Sequence, residues 1–85
     1  MPTKQFELGD VVTVQHPFGK LEVKGFDTYP GEYGFHKSHL VVSNTMGLVI
    51  EERGSYYRVL ISEIVLWFEN YYLELEYYDE ILGME

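Results

Sequence analysis

Residues 47–75, GLVIEERGSYYRVLISEIVLWFENYYLEL, decide the fold. Valine, isoleucine, leucine and aromatic residues fill two runs on either side of Arg53-Gly54-Ser55, a tight-turn signal between strands. A third run follows, then a short aromatic corner and a fourth strand. Alternation sets the register: Tyr57, Val59 and Ile61 share one face, while Arg58 projects to the other. Leu73 and Leu75 face one way and Glu74 and Glu76 the other, as in a strand with one wet side.

Upstream, Gly9-Asp10 precedes the β-branched run Val11-Val12-Thr13-Val14 and reads as a turn entering the first strand, with Val12 and Val14 on one face. His16-Pro17-Phe18-Gly19 closes that strand, because proline cannot donate to a ladder and glycine supplies a bend. A second alternating run, Leu21 to Lys24, follows. Between Gly25 and His36 the chain is rich in turn residues, and Pro30-Gly31 favours a type II turn there. Leu40-Val41-Val42 is another short apolar run, ended by Ser43-Asn44. Residues 15–46 therefore read as an excursion, an irregular hairpin inserted between the first strand and the central unit. No long segment has helical periodicity; only the tail, Tyr77 to Leu82, offers a single apolar turn through Tyr78, Ile81 and Leu82. The expected architecture is all-β: one domain over residues 1–85, a small antiparallel barrel with an elaborated first loop or hairpin (15–46) and a short acidic C-terminal tail (76–85). Val12, Val14, Val49, Tyr57, Val59, Trp67, Leu73 and Leu75 are its expected core.

Composition narrows the function. With 85 residues and no cysteine, the fold rests on apolar packing, supplied by 46% hydrophobic residues. No apolar run approaches a membrane span and no basic-plus-apolar leader opens the sequence, so the expectation is a protein that is not secreted by a signal peptide and has no membrane partner. The net charge of −8 is unevenly spread. Residues 1–46 carry four lysines against five acids, whereas residues 47–85 carry Arg53 and Arg58 against nine acids. Such a surface repels phosphates, so no binding to nucleic acid is expected. It suits solubility, or an acidic face presented to a basic partner.

The pattern Gly9-Asp10-Val11-Val12-x-Val14, Gly47-Leu48-Val49-Ile50 before a turn, Tyr56-Tyr57-Arg58-Val59-Leu60-Ile61 after it, then Trp67-Phe68 and Leu73-Glu74-Leu75 resembles SH3-like small β-barrels. More narrowly, it resembles the short SH3-like proteins encoded by tailed bacteriophages. The resemblance covers residues 8–14 and 47–75, leaving the excursion and the tail outside it. It implies a non-enzymatic module that docks on a host or viral protein, in the host cytoplasm or the virion. A structural virion component (head, tail or decoration protein), with the chain as a possible homo-oligomer, and an acidic mimic occupying a nucleic-acid-binding surface are the alternatives. The Ala-Leu-Tyr-Asp-Tyr motif of peptide-binding SH3 domains is missing. Tyr56, Tyr57, Trp67, Tyr71 and Tyr72 are the candidates for an aromatic cage of the kind that holds cations in related barrels.

Catalytic patterns are not found: there is no cysteine nucleophile, no glycine-rich phosphate loop and no serine elbow. His16, His36 and His39 all fall in the excursion; His36 and His39 are three apart, which on a strand sets them on opposite faces. No enzyme activity, cofactor or metal is expected. Leu48 and Ile50 alternate with Val49, and Ile64 and Leu66 with Val65 and Trp67, more apolar side chains than a small barrel can bury. The expected docking face is the closing strand and tail, Leu73 to Glu85, with the partner-binding Tyr71 and Tyr72 just ahead of it. There Tyr71, Tyr72, Tyr77, Tyr78, Ile81 and Leu82 are apolar contacts, bordered by acids that steer a basic protein surface.

Overall fold

The computed structural model describes residues 5–31 and 37–76. These residues form seven strands: β1 (Val11–Val14), β2 (Glu22–Phe26), β3 (Ser38–Val42), β4 (Thr45–Arg53), β5 (Tyr56–Ile61), β6 (Ile64–Glu69) and β7 (Leu73–Leu75). A one-turn 3-10 helix, Asn70–Tyr72, forms the aromatic corner between β6 and β7. All pairings are antiparallel and join one sheet in the order β3-β2-β6-β5-β4-β1-β7. Among the described residues the sheet does not close: β3 and β7 are its edges, so the ladder of the expected barrel is left open. The tail turn expected at Tyr77–Leu82 lies outside the described residues.

Turn chemistry places the strands as the sequence implies. Gly9 sits at φ 93°, which glycine adopts without a Cβ clash, and the Asp10 carboxylate accepts from the Glu7 amide at 2.8 Å. This turn delivers β1 between β4 and β7, where Val12 lies opposite both Gly47 and Leu75. The Pro30-Gly31 expectation is corrected: Gly31 does not have the positive φ that a type II turn requires at its third position. Glycine is needed there for space instead, since a Cβ would meet the Tyr29 ring at 2.4 Å.

One sheet buries a face only by curling over it, and the core shows the result. Val12 and Val14 from β1, Val23 from β2, Val49, Tyr57, Val59 and Ile61 from β4–β5, Leu66 and Phe68 from β6 and Leu73 from β7 form one cluster, joined by Phe6. Leu75 packs on its margin, only partly buried. Tyr57 reaches across the cluster, and its hydroxyl accepts from the Phe6 amide at 3.0 Å while donating to Glu52 at 3.2 Å. A buried phenol thereby loses no hydrogen bonding, and it tethers the segment ahead of β1. A β-bulge between Val49 and Glu51 adds Ile50 to β4. Val49 faces the core, whereas beyond the bulge Glu51 pairs with Arg58 on the outer side.

Trp67 is buried, but it does not belong to this cluster. In β6 it alternates with Leu66 and Phe68, which both point inward, so its ring lies on the opposite face of the sheet, in the row Phe26–Trp67–Arg58–Glu51. The expectation of burial holds for Trp67, and its assignment to the barrel core is corrected. Leu48, Ile50 and Ile64 are each about two-fifths exposed, in keeping with the surplus of apolar side chains.

Candidate functional site

The excursion is what builds a concavity. In the β2–β3 hairpin, Val23, Gly25 and Val41 face the core, and a Cβ on Gly25 would meet the Phe68 ring at 2.7 Å. The alternate residues Glu22, Lys24, Phe26 and Leu40 therefore turn to the other side. There they line a cleft of about 390 Å³ whose far wall is Tyr56, Glu69 and Tyr72, with His16 and Lys20 at one end. That volume falls in the range of ligand clefts.

Local contacts fix the far wall. Asn70 donates its amide to the Ser55 carbonyl at 2.9 Å, tying the 3-10 turn to the β4–β5 hairpin. The Tyr72 carbonyl accepts from the Gln15 amide at 2.7 Å, and its ring lies 5.5 Å from that of His16. Glu69 accepts from the Tyr56 hydroxyl at 3.2 Å and from the Tyr71 hydroxyl at 3.3 Å, so its carboxylate is held by two phenols. His16 is fixed in turn, its Nδ1 accepting from the Phe18 amide at 3.1 Å.

Beyond Tyr56 the cleft meets an aromatic cluster. Tyr29 packs edge-on against Tyr56 at 5.6 Å and against Trp67 at 5.4 Å. The Arg53 guanidinium lies 4.7 Å from the Tyr29 ring centre and 5.7 Å from that of Trp67, and Arg58 lies 6.0 Å from Trp67. Glu51 pairs with Arg58 at 3.3 Å and more loosely with Arg53 at 3.9 Å. These ion pairs are about 40% exposed and contribute little on their own, about 0–1 kcal/mol. The guanidinium groups also lie over the faces of these rings, where the negative π cloud attracts a cation.

The five candidates for an aromatic cage, Tyr56, Tyr57, Trp67, Tyr71 and Tyr72, do not come together as one. Tyr57 is in the core, Tyr71 and Tyr72 pack on one another at a tilt, 4.5 Å apart, in the corner, and Tyr56 and Trp67 join Tyr29 instead. The cation over that cluster is the chain's own Arg53. Tyr29 was missed because it sits in the turn-rich stretch, where no periodicity ties it to a partner. Of the expected docking residues, Tyr72 lines the cleft and Tyr71 is half exposed beside it. Tyr77, Tyr78, Ile81 and Leu82 lie outside the described residues. Of the histidines, His16 is in the cleft, His39 is exposed on β3, and His36 lies outside the described residues. Among the described residues no group of three or more His, Asp or Glu side chains comes together as a metal site, and no helix is long and apolar enough to cross a membrane.

Three phenols of this region and the core hold their protons more tightly than free tyrosine. Desolvation raises Tyr56, helped by Glu69, and it raises Tyr57, helped by Glu52 and opposed by the Phe6 amide. Tyr71 is pushed up to about 12, first by desolvation and then by its contacts with Tyr72 and Glu69. Since the folded protein binds these protons more strongly than the unfolded chain, their contribution to stability is complete below pH ~10 and lost as pH rises toward the folded values. An ultraviolet titration should show tyrosinate forming in a late phase, with the denaturation midpoint falling over the same window. A single phase at the free-tyrosine value, with a flat midpoint, would contradict the assignment.

Comparison of the chain with protein-family models, curated proteins and solved structures yields no match.

Proposed function

We propose that the chain is an SH3-like, non-enzymatic protein-interaction module whose cleft between the β2–β3 hairpin and β5–β6 receives an extended segment of a partner protein. The SH3-like reading is supported by the motifs at residues 8–14 and 47–75 and by a first strand flanked by β4 and by a last strand that follows a 3-10 turn. The observation that carries the binding reading is the lining of the cleft. Phe26, Tyr56 and Tyr72 offer rigid aromatic area at low entropic cost, and Lys20, Lys24, Glu22 and Glu69 supply charges of both signs along it. A protein of the host or of the virion is the partner that the resemblance to phage-encoded SH3-like proteins implies.

Peptides selected from a random display library against the full chain provide the test. Bound peptide should shift the amide resonances of Lys24, Tyr56 and Tyr72, and Tyr72→Ala or Lys24→Glu should each weaken it about tenfold or more. Lys24 is exposed, so its variant tests binding without disturbing the core. A selected peptide whose affinity neither substitution changes would move the binding surface elsewhere.

A further inference from the structure

The two edges of the sheet are unequally protected. β7 is three residues long, carries Glu74 at its centre and is followed by Glu76, so a strand added there would meet carboxylates. β3 is five residues long and reads Ser-His-Leu-Val-Val, with no proline, aspartate, glutamate, lysine or arginine. Leu40 and Val42 are 63% and 62% exposed on it.

Backbone geometry shows what that edge offers. The Ser43 amide donates to the Leu21 carbonyl at 2.7 Å and the Asp27 amide to the Lys37 carbonyl at 3.0 Å, on either side of the β2–β3 register. Hydrogen-bonded pairs alternate in an antiparallel ladder, so His39 and Val41 bond inward to β2. Ser38, Leu40 and Val42 therefore direct their N–H and C=O groups away from the sheet. The Val42 carbonyl takes one bond from the Thr45 hydroxyl at 2.6 Å and retains a second lone pair.

We propose that β3 pairs with β3 of a second copy, antiparallel about a two-fold axis at Leu40, so that the two sheets become one. The spacing is self-complementary. Leu40 meets Leu40 of the other copy while Ser38 meets Val42, each as a hydrogen-bonded pair that exchanges two main-chain bonds. On one face the exposed Leu40 side chains cover each other. Charge favours a copy at this edge and at no other. The chain carries −8, yet residues 17–31 and 37–46 hold three lysines against two acids, while residues 47–76 hold six acids against Arg53 and Arg58 and lie beyond β2 in the sheet order, so pairing at β3 keeps those acids of the two copies apart. Pairing is isologous and uses up the edge, so assembly stops at the dimer.

Sedimentation equilibrium of the full chain, with hydrogen exchange on the same samples, tests this. The sedimenting mass should rise to that of a dimer with concentration, and Val42→Lys and Ser38→Pro should each weaken association about tenfold or more. Ser38→Pro removes an outward N–H and leaves the ladder to β2 intact. In the unmodified chain the amides of Ser38, Leu40 and Val42 should become protected only as the dimer forms, whereas His39 and Val41 are protected at every concentration. This holds as a test even if a variant fails to fold. A chain that remains monomeric, assembles beyond two copies, or dimerises with the three outward amides still exchanging freely overturns the proposal. So does protection of those amides only on adding a display-selected peptide, which would make the edge a site for a partner's strand.

Discussion

Trp67→Ala should cost about 3–5 kcal/mol in a denaturant titration, although the ring lies outside the main core. The indole is 5% exposed because Tyr29 packs against it and Arg53 and Arg58 lie across it. Removing it withdraws the surface on which one loop and two guanidinium groups rest. A domain of this size has a total stability on the order of 5–10 kcal/mol, so the variant should unfold at a much lower denaturant concentration. The cleft should loosen first, since Tyr56 would lose the order of its neighbour Tyr29. A cost below about 1 kcal/mol would mean that the layer over Trp67 collapses onto the sheet without penalty.

Gly47→Ala is expected to destabilise by about 3 kcal/mol, at the upper end of the overpacking range. Glycine is needed at this position for room, because a Cβ would lie 2.4 Å from Val59 Cγ1 and 2.9 Å from Ile61 Cγ1 and the Leu60 carbonyl oxygen. A core methyl, a core methylene and a backbone oxygen cannot all move aside. The entropy gained by removing a glycine from the unfolded chain, about 0.4–1 kcal/mol, is too small to offset this. Coupling identifies the cause: in the Gly47→Ala/Val59→Ala double variant the removed valine methyls make the space, and its cost should fall short of the sum of the two single costs by about 1 kcal/mol or more. Additive costs would show that the strain lies in the backbone.

Much of this fold is legible in the sequence because its signals are local. The alternation in Tyr57-Arg58-Val59, the Arg53-Gly54-Ser55 turn and the Gly9-Asp10 entry all reappear where the pattern puts them. Trp67 was assignable too: between Leu66 and Phe68 it must face away from both, and only the general habit of burying aromatics in small cores argued otherwise. The bulge at Ile50 has no glycine to mark it, so the switch that brings Glu51 opposite Arg58 is set by pairing across strands and not by propensity. The cleft was illegible for a related reason. Its walls join residues of the excursion to Tyr56, Glu69 and Tyr72, and that proximity depends on how far the sheet curls, which no local pattern encodes.

The position of β1 between β4 and β7 has a consequence for how the protein comes into being. Val12 and Val14, fully buried, are synthesised early but have no complete shelter until Leu73 and Leu75 emerge to pair with them. During translation the β4–β5–β6 meander can zip up by short-range turns, while the β-branched opening strand, even once paired with β4, keeps its β7 side open. Closing it is a long-loop event, slow by the same entropy that makes non-local topologies fold late. The interval before β7 arrives is therefore when the nascent chain is most exposed to misassociation, and when a chaperone that holds short aliphatic stretches would find its substrate.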